Sequence, residues 1–297
     1  MTPSSEGHRL PEFRFDRLLK SVSRSFYLTL RLLPKEVRGT LSLAYMLARA
    51  SDTIADTCTA TMETRSALLR GLPEVWRPSL SAPGAEGELL NALPELLVAW
   101  KSSPDRQEIT DVWKTILEGQ IFDLERFNGT GSQPLSPDEL NRYTFLVAGC
   151  VGEFWTDICF KHVKNYSAAP PAIMRNLGKL FGQGLQLVNI LRDRQSDSAI
   201  VRTYIPPERF DEEMKIARQH LAAGGTYASA IRSRRLRAAC ALPFQLGSST
   251  LDLIAKHPEA NRVKVPRFRV WIALACALAH PTGVGQLAGA EESPPKL

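Results

Sequence analysis

The sequence contains no Cys-x-x-Cys pair. Its five cysteines (Cys58, Cys150, Cys159, Cys240 and Cys276) are odd in number and widely spaced. That argues against a disulfide framework and a zinc site, and makes a reducing, cytoplasmic setting the default. The opening residues MTPSSEGHRLPEF lack the apolar run of a signal peptide. The longest late apolar stretch, Val270–Ala279, has ten residues, where a bilayer-spanning helix needs about 20. No transmembrane anchor is expected, although peripheral contact with the inner face of a membrane stays open. No basic tract is interleaved with aromatics, which disfavours a nucleic-acid partner. No Glu-x-x-His pair occurs, so di-metal carboxylate oxidase chemistry is not supported. No Gly-x-Gly-x-x-Gly follows a strand-like run, so any nicotinamide cofactor would be held outside a Rossmann unit.

What remains is an ordinary globular composition: 297 residues, 44% hydrophobic, 23% charged and a formal net charge of +6. The positive balance leaves anionic membrane surfaces and phosphorylated substrates as candidate partners. Helical periodicity dominates. It predicts helices over 15–32, 36–57, 107–127, 137–162, 170–197, 208–222, 226–256 and 266–280. Residues 71–88 and 128–137 are rich in Gly, Pro and Ser and read as loops. The second loop ends in Ser136-Pro137-Asp138-Glu139, which combines an N-cap serine, a proline at the first helical position and a capping-box glutamate. Gly149 and Gly152, beside Ala148, read as permitting close helix approach or a kink. The organisation expected is one all-α domain over 15–281, a short tail over 1–14 and a disordered tail over 282–297.

Two segments carry the chemistry. In residues 41–57, Tyr45, Arg49, Asp52 and Asp56 fall at i, i+4, i+7 and i+11, one stripe of a 3.6-residue helix. In residues 184–197, Gln186, Asn189, Asp193 and Asp197 fall at i, i+3, i+7 and i+11. Like charges four residues apart cost a few tenths of a kcal/mol when exposed, about 0.2–0.5, and more when desolvated. Two such pairs inside apolar helices call for a cation. Oxygen ligands suit Mg²⁺, which commonly joins one or two carboxylates to substrate phosphates. The plainer alternative is a pair of solvated helix faces, with salt bridges to Arg49 and Arg194.

The chain resembles the squalene/phytoene synthase family of head-to-head prenyl transferases. The resemblance rests on ordered blocks: Val22-Ser23-Arg24-Ser25-Phe26 with Leu32-Leu33-Pro34; Tyr45 and Arg49 with Asp52-Thr53-Ile54-Ala55-Asp56; Tyr143 with Val147-Ala148-Gly149-Cys150-Val151-Gly152-Glu153; Gln186 through Asp193 and Asp197; and Arg202-x-Tyr204-Ile205-Pro206. It implies an all-α isoprenoid-synthase fold with a central cavity between two aspartate helices. The implied activity is Mg²⁺-dependent condensation of two farnesyl diphosphates to presqualene diphosphate, followed by NADPH-dependent reduction to squalene. By position, Asp52, Asp56, Asp193 and Asp197 would ligate Mg²⁺. Ser23, Arg24, Phe26, Arg49, Gln186, Asn189 and Arg192 would contact prenyl diphosphate. Tyr143, Tyr45 and Arg49 would act at the reacting centre.

Asp-Thr-Ile-Ala-Asp resembles the squalene-synthase form of the first motif, and Asn261–Arg267 resembles a segment that helps bind NADPH. Lys264, with Arg24 and Arg192, would then contact that cofactor. Ala55 departs from the acidic residue of eukaryotic squalene synthases, and the expected lack of an anchor looks bacterial. Relatives that stop at presqualene diphosphate, dehydrosqualene or phytoene are the nearest alternative. A class I cyclase or chain-elongating prenyl transferase would usually show Asp-Asp-x-x-Asp, which is absent.

Overall fold

The computed structural model describes residues 12–23, 26–56, 59–72, 74, 80–128, 133–199 and 202–258. Among them the chain forms α1 (Glu12–Ser23), α2 (Phe26–Leu32), α3 (Lys35–Asp56), α4 (Met62–Gly71), α5 (Gly84–Lys101) and α6 (Arg106–Arg126). There follow α7 (Pro137–Thr144), a π turn (Phe145–Gly149), α8 (Cys150–His162), α9 (Pro171–Ala199), a 3₁₀ turn (Pro207–Arg209), α10 (Phe210–Ala230) and α11 (Arg234–Lys256). The one β feature of the described residues is an isolated antiparallel bridge between Ser167 and Ile231. The all-α expectation is met.

Local signals explain several boundaries. Ser136 accepts from the Glu139 N–H at 3.2 Å while Glu139 accepts from the Ser136 N–H at 2.8 Å, so the capping box forms as read from the sequence. The described part of the expected helix over 15–32 is helical on both sides, as α1 and α2. The expected helix over 137–162 is interrupted by the π turn, where the Cys150 N–H reaches back to the Phe145 carbonyl. Residues 226–230 complete α10 instead of opening α11. Ile231 leaves the helix to pair with Ser167, and Ser233 caps the next helix. Two helices went unread in the sequence, α4 and α5. The latter begins inside the Gly/Pro-rich stretch and carries Pro94. The expected helix over 266–280 lies outside the described residues.

α3 and α9 organise the interior. α3 buries Val37, Leu47, Ala50 and Ile54 completely against neighbours that include α5 and α6. Each such large aliphatic contributes about 1.5–3 kcal/mol. α9 lies between α8 and α10 at unusually close range to α8. A Cβ added to Gly152 would stand 1.9 Å from the Gly178 carbonyl oxygen, and one on Gly182 would stand 2.2 Å from the Ala148 oxygen. Both positions admit only glycine, because backbone meets backbone. Gly152 therefore permits the close approach its sequence context suggested.

Candidate active site

The polar stripes of α3 and α9 line the same cavity, whose volume is about 660 Å³. Tyr45, Arg49, Asp52 and Asp56 come from α3; Gln186, Asn189, Asp193 and Asp197 come from α9. Their aspartates sit toward the C-terminal ends of both helices and form an acidic mouth. Deeper, the wall turns apolar through Val147, Val151, Phe154 and Trp155 and ends near Tyr227 and Cys240.

The charges at the mouth are interlocked. Arg49 pairs with Asp52 on one side and with Glu86 at 2.8 Å on the other. Arg202 donates to Asp56 at 3.0 Å and stands 3.4 Å from Asp123. The Tyr204 hydroxyl donates to Asp123 at 2.6 Å, and the Tyr143 ring stacks on Tyr204 at 5.4 Å between centroids. Five aspartates (Asp52, Asp56, Asp123, Asp193 and Asp197) line the cavity against two arginines, Arg49 and Arg202.

Burial first, and then the crowding of like charge, raises the pKa of three of these carboxyls. Burial and then Asp56 push Asp52 up to about 6, outweighing Arg49. Burial and then Asp193 push Asp197 up to about 6, outweighing Arg202. Burial also raises Asp123, against the opposing pull of Arg202 and the Tyr204 hydrogen bond. Burial, reinforced by Asp123, holds the Tyr143 phenol protonated. Among the described residues no three His, Cys, Asp or Glu side chains converge as a metal-binding cluster. The donors are instead carboxylate pairs on two helices. Such pairs fit Mg²⁺, which takes one or two protein carboxylates and completes its shell with water and substrate phosphate.

Of the residues singled out in the sequence, Phe26, Tyr45, Arg49, Asp52, Asp56, Tyr143, Gln186, Asn189, Asp193 and Asp197 all line this cavity. Phe26 and Tyr45 stack at 5.2 Å. Ser23 is not among the lining residues. It is buried and donates to the Leu19 carbonyl. Arg192 is not among them either, and its Nε donates to Asp193 at 3.0 Å. Arg194, the salt-bridge alternative, lies over the Phe210 ring at 4.5 Å and reaches the Pro258 carbonyl. Arg24 and Lys264 fall outside the described residues.

Sequence reasoning gave no role to Asp123, Arg202 or Tyr204, or to Gln120, whose Oε1 is buried without a partner among the described residues. Asp123 and Arg202 are 79 positions apart, and only the tertiary fold brings them together. The signals in the sequence were the Arg202-x-Tyr204 block and the segment 118–127, whose Asp123 reads as structural or diphosphate-adjacent.

The site is thus a cavity in an all-helical body, acidic at its mouth and apolar within. The chain belongs to the squalene/phytoene synthase family, whose model matches residues 19–216 and 209–269. It is 27% identical over 292 residues to a squalene synthase of Yarrowia lipolytica, covering 84% of this chain and 62% of that protein. It is 30% identical over 208 residues to a bifunctional lycopene cyclase/phytoene synthase of Colletotrichum graminicola, covering 66% of this chain and 34% of that one. The chain thus spans about three fifths of the first relative and a third of the second. Among solved structures, TcSQS in complex with the ligand BPH1237 superposes with a TM-score of 0.74 at 20% identity, over 94% of this chain and 93% of that one. That likeness concerns the fold.

Proposed function

We infer that this chain condenses two farnesyl diphosphates head to head, with Mg²⁺, into presqualene diphosphate and reduces that product to squalene with NADPH. The observation that carries the reading is the placement of two aspartate pairs, from α3 and α9, at the mouth of one cavity with an apolar interior. Asp52, Asp56, Asp193 and Asp197 would hold the metal, with Asn189 and Gln186 beside them. Bound there, Mg²⁺ would neutralise the diphosphate and stabilise it as a leaving group.

The chain's own groups do the rest. Arg49 and Arg202 line the mouth with guanidinium groups suited to phosphate oxygens. Tyr143, stacked on Tyr204, offers an aromatic face to an allylic cation. Burial raises the pKa of the Tyr143 phenol, which suits that hydroxyl to take part in proton transfer as a donor. Val147, Val151, Phe154 and Trp155 keep water from that cation. The reductive step is assigned to Lys264, Arg24 and Arg192 from the resemblance.

A second reading, condensation without reduction to give presqualene diphosphate, dehydrosqualene or phytoene, is favoured by one observation. A bifunctional lycopene cyclase/phytoene synthase is 30% identical over 66% of this chain, beside a squalene synthase at 27% over 84%. Incubation with C15 and C20 diphosphates and Mg²⁺, with and without NADPH, separates the two by product mass. Squalene from the C15 substrate only when NADPH is present supports the first reading. A product that ignores NADPH rejects it in favour of the second.

A further inference from the structure

The N-terminal end of α9, opposite the aspartates near its C-terminus, has its own chemistry. α9 starts at Pro171, and about 20 residues, or about 30 Å of helix, separate Ile173 from Asp193 at the mouth. The sequence carries no Asp or Glu from 158 to 192 or from 214 to 251. Where the α8–α9 loop meets the start of α11, these two segments are tied together. The Arg232 N–H donates to the Tyr166 carbonyl at 2.9 Å, and the Ala168 N–H donates to Ala230 at 2.9 Å. Arg232 Nε reaches the Ser167 carbonyl at 3.2 Å. Arg237 fixes the turn from beneath, donating to Ile231 at 2.8 Å.

This junction holds Lys164, Arg232, Arg234 and Arg235 in exposed positions. None of the four has a carboxylate partner among the described residues. Arg234 and Arg235 occupy the first turn of α11, where the helix dipole already favours anions. Beside them the exposed run Pro170-Pro171-Ala172-Ile173 offers an apolar edge, with Ile173 54% exposed. Nearby cations are accounted for: Arg175 is held by Glu153 and Asp157, and Lys161 by Asp105 and Glu108.

We propose that this basic end, Lys164, Arg232, Arg234 and Arg235 with Ile173 beside them, docks the protein onto an anionic phospholipid surface. Four clustered cations with an adjacent apolar edge match such a surface, cations at the headgroups and the aliphatic residue at the acyl boundary. No aromatic side chain is exposed in the cluster to stack a base; Tyr166 is 2% exposed. That argues against a single-stranded polynucleotide. The orientation also suits the charge distribution. A membrane bearing the same sign as the five aspartates would repel the mouth, yet docking here leaves it about 30 Å away, beyond a Debye length of about 8–10 Å. The mouth then faces water, while the cavity end at Cys240, five residues beyond Arg235 on α11, lies toward the lipid.

The test is co-sedimentation of the full chain with phosphatidylcholine vesicles, with or without an equal part of phosphatidylserine. Binding is expected to the anionic vesicles only, with release as salt approaches about 1 M, where screening shortens to about 3 Å. Arg234→Gln with Arg235→Gln, at two exposed positions, should weaken partitioning about 25-fold at about fivefold per cation, with an unchanged melting temperature. Ile173→Ser, which leaves the charge intact, should weaken it severalfold. Equal sedimentation with neutral vesicles, or full binding by the arginine double variant, overturns the proposal. So does duplex DNA that strips the protein from vesicles at a lower phosphate concentration than free anionic vesicles do, which would assign the patch to nucleic acid.

Discussion

The mouth and the floor of the cavity are built on opposite principles. At the mouth, five aspartates face two arginines, and Asp52 and Asp197 are both pushed up to about 6. At the floor the hydroxyls of Tyr227, Tyr166 and Thr156 are paired with one another or with backbone. Tyr227 meets Thr156 at 2.8 Å and Tyr166 at 2.6 Å, and Thr156 donates to the Gly152 carbonyl at 2.8 Å. There α8 and α9 approach until backbone touches backbone. A close-packed region holds the fold together, whereas one with surplus like charge is kept for what it binds. Substitutions in the two regions should therefore fail in different ways.

The largest effect is expected at the mouth. Asp52→Asn or Asp193→Asn should lower turnover of farnesyl diphosphate about a thousandfold, equivalent to ~4 kcal/mol of barrier. Without metal either variant should melt no lower than the unaltered protein, because a repelling charge has gone. A melting point well below it would mean that the pairs are structural and would erase the contrast.

Next comes the floor. Gly152→Ala places a methyl group 1.9 Å from the Gly178 oxygen and should reduce unfolding free energy by about 3 kcal/mol, read from the urea midpoint. A smaller effect is expected behind the floor, at the buried Asp105. It accepts from Thr40 at 2.6 Å and meets His162 at 2.8 Å and Lys161 at 2.9 Å. Burial alone would raise its pKa, yet the bonds from Thr40, Lys161 and His162 leave it below the ordinary carboxylate value. With the folded pKa below the unfolded one, this stabilisation is present above about pH 4 and is lost as pH falls through the folded pKa. Asp105→Asn should lose about 2 kcal/mol near neutrality, and the gap from the unaltered protein should close in acid. A gap independent of pH would show that the charge is immaterial.

The two regions were unequally legible in the sequence. The stripes containing Asp52, Asp56, Asp193 and Asp197 could be read because helical periodicity is local, and so could the Ser136–Glu139 capping box. The Asp123–Arg202–Tyr204 cluster could not, since it depends on two distant segments, α6 and residues 202–204, meeting in space. Ser23 lay in a family-like block, but its hydroxyl satisfies its own helix at Leu19, a local bond that competes with any outward role. α5 was hidden because Pro94 and the glycines at its start mimic a loop. The floor was half visible: Gly149 and Gly152 suggested close approach, but their partners Gly178 and Gly182 on α9 were unmarked.

The central claim is that the aspartate mouth exists to hold divalent cations with a diphosphate. The most direct measurement is the melting temperature with Mg²⁺ and inorganic diphosphate, singly and together. Ligand that binds only the folded state stabilises by about 2.7 kcal/mol at a hundred times its Kd. The protein should therefore gain several degrees when both are present, and the Asp52→Asn, Asp193→Asn double variant should gain none. No gain in the unaltered protein, or an equal gain in the double variant, would contradict the account.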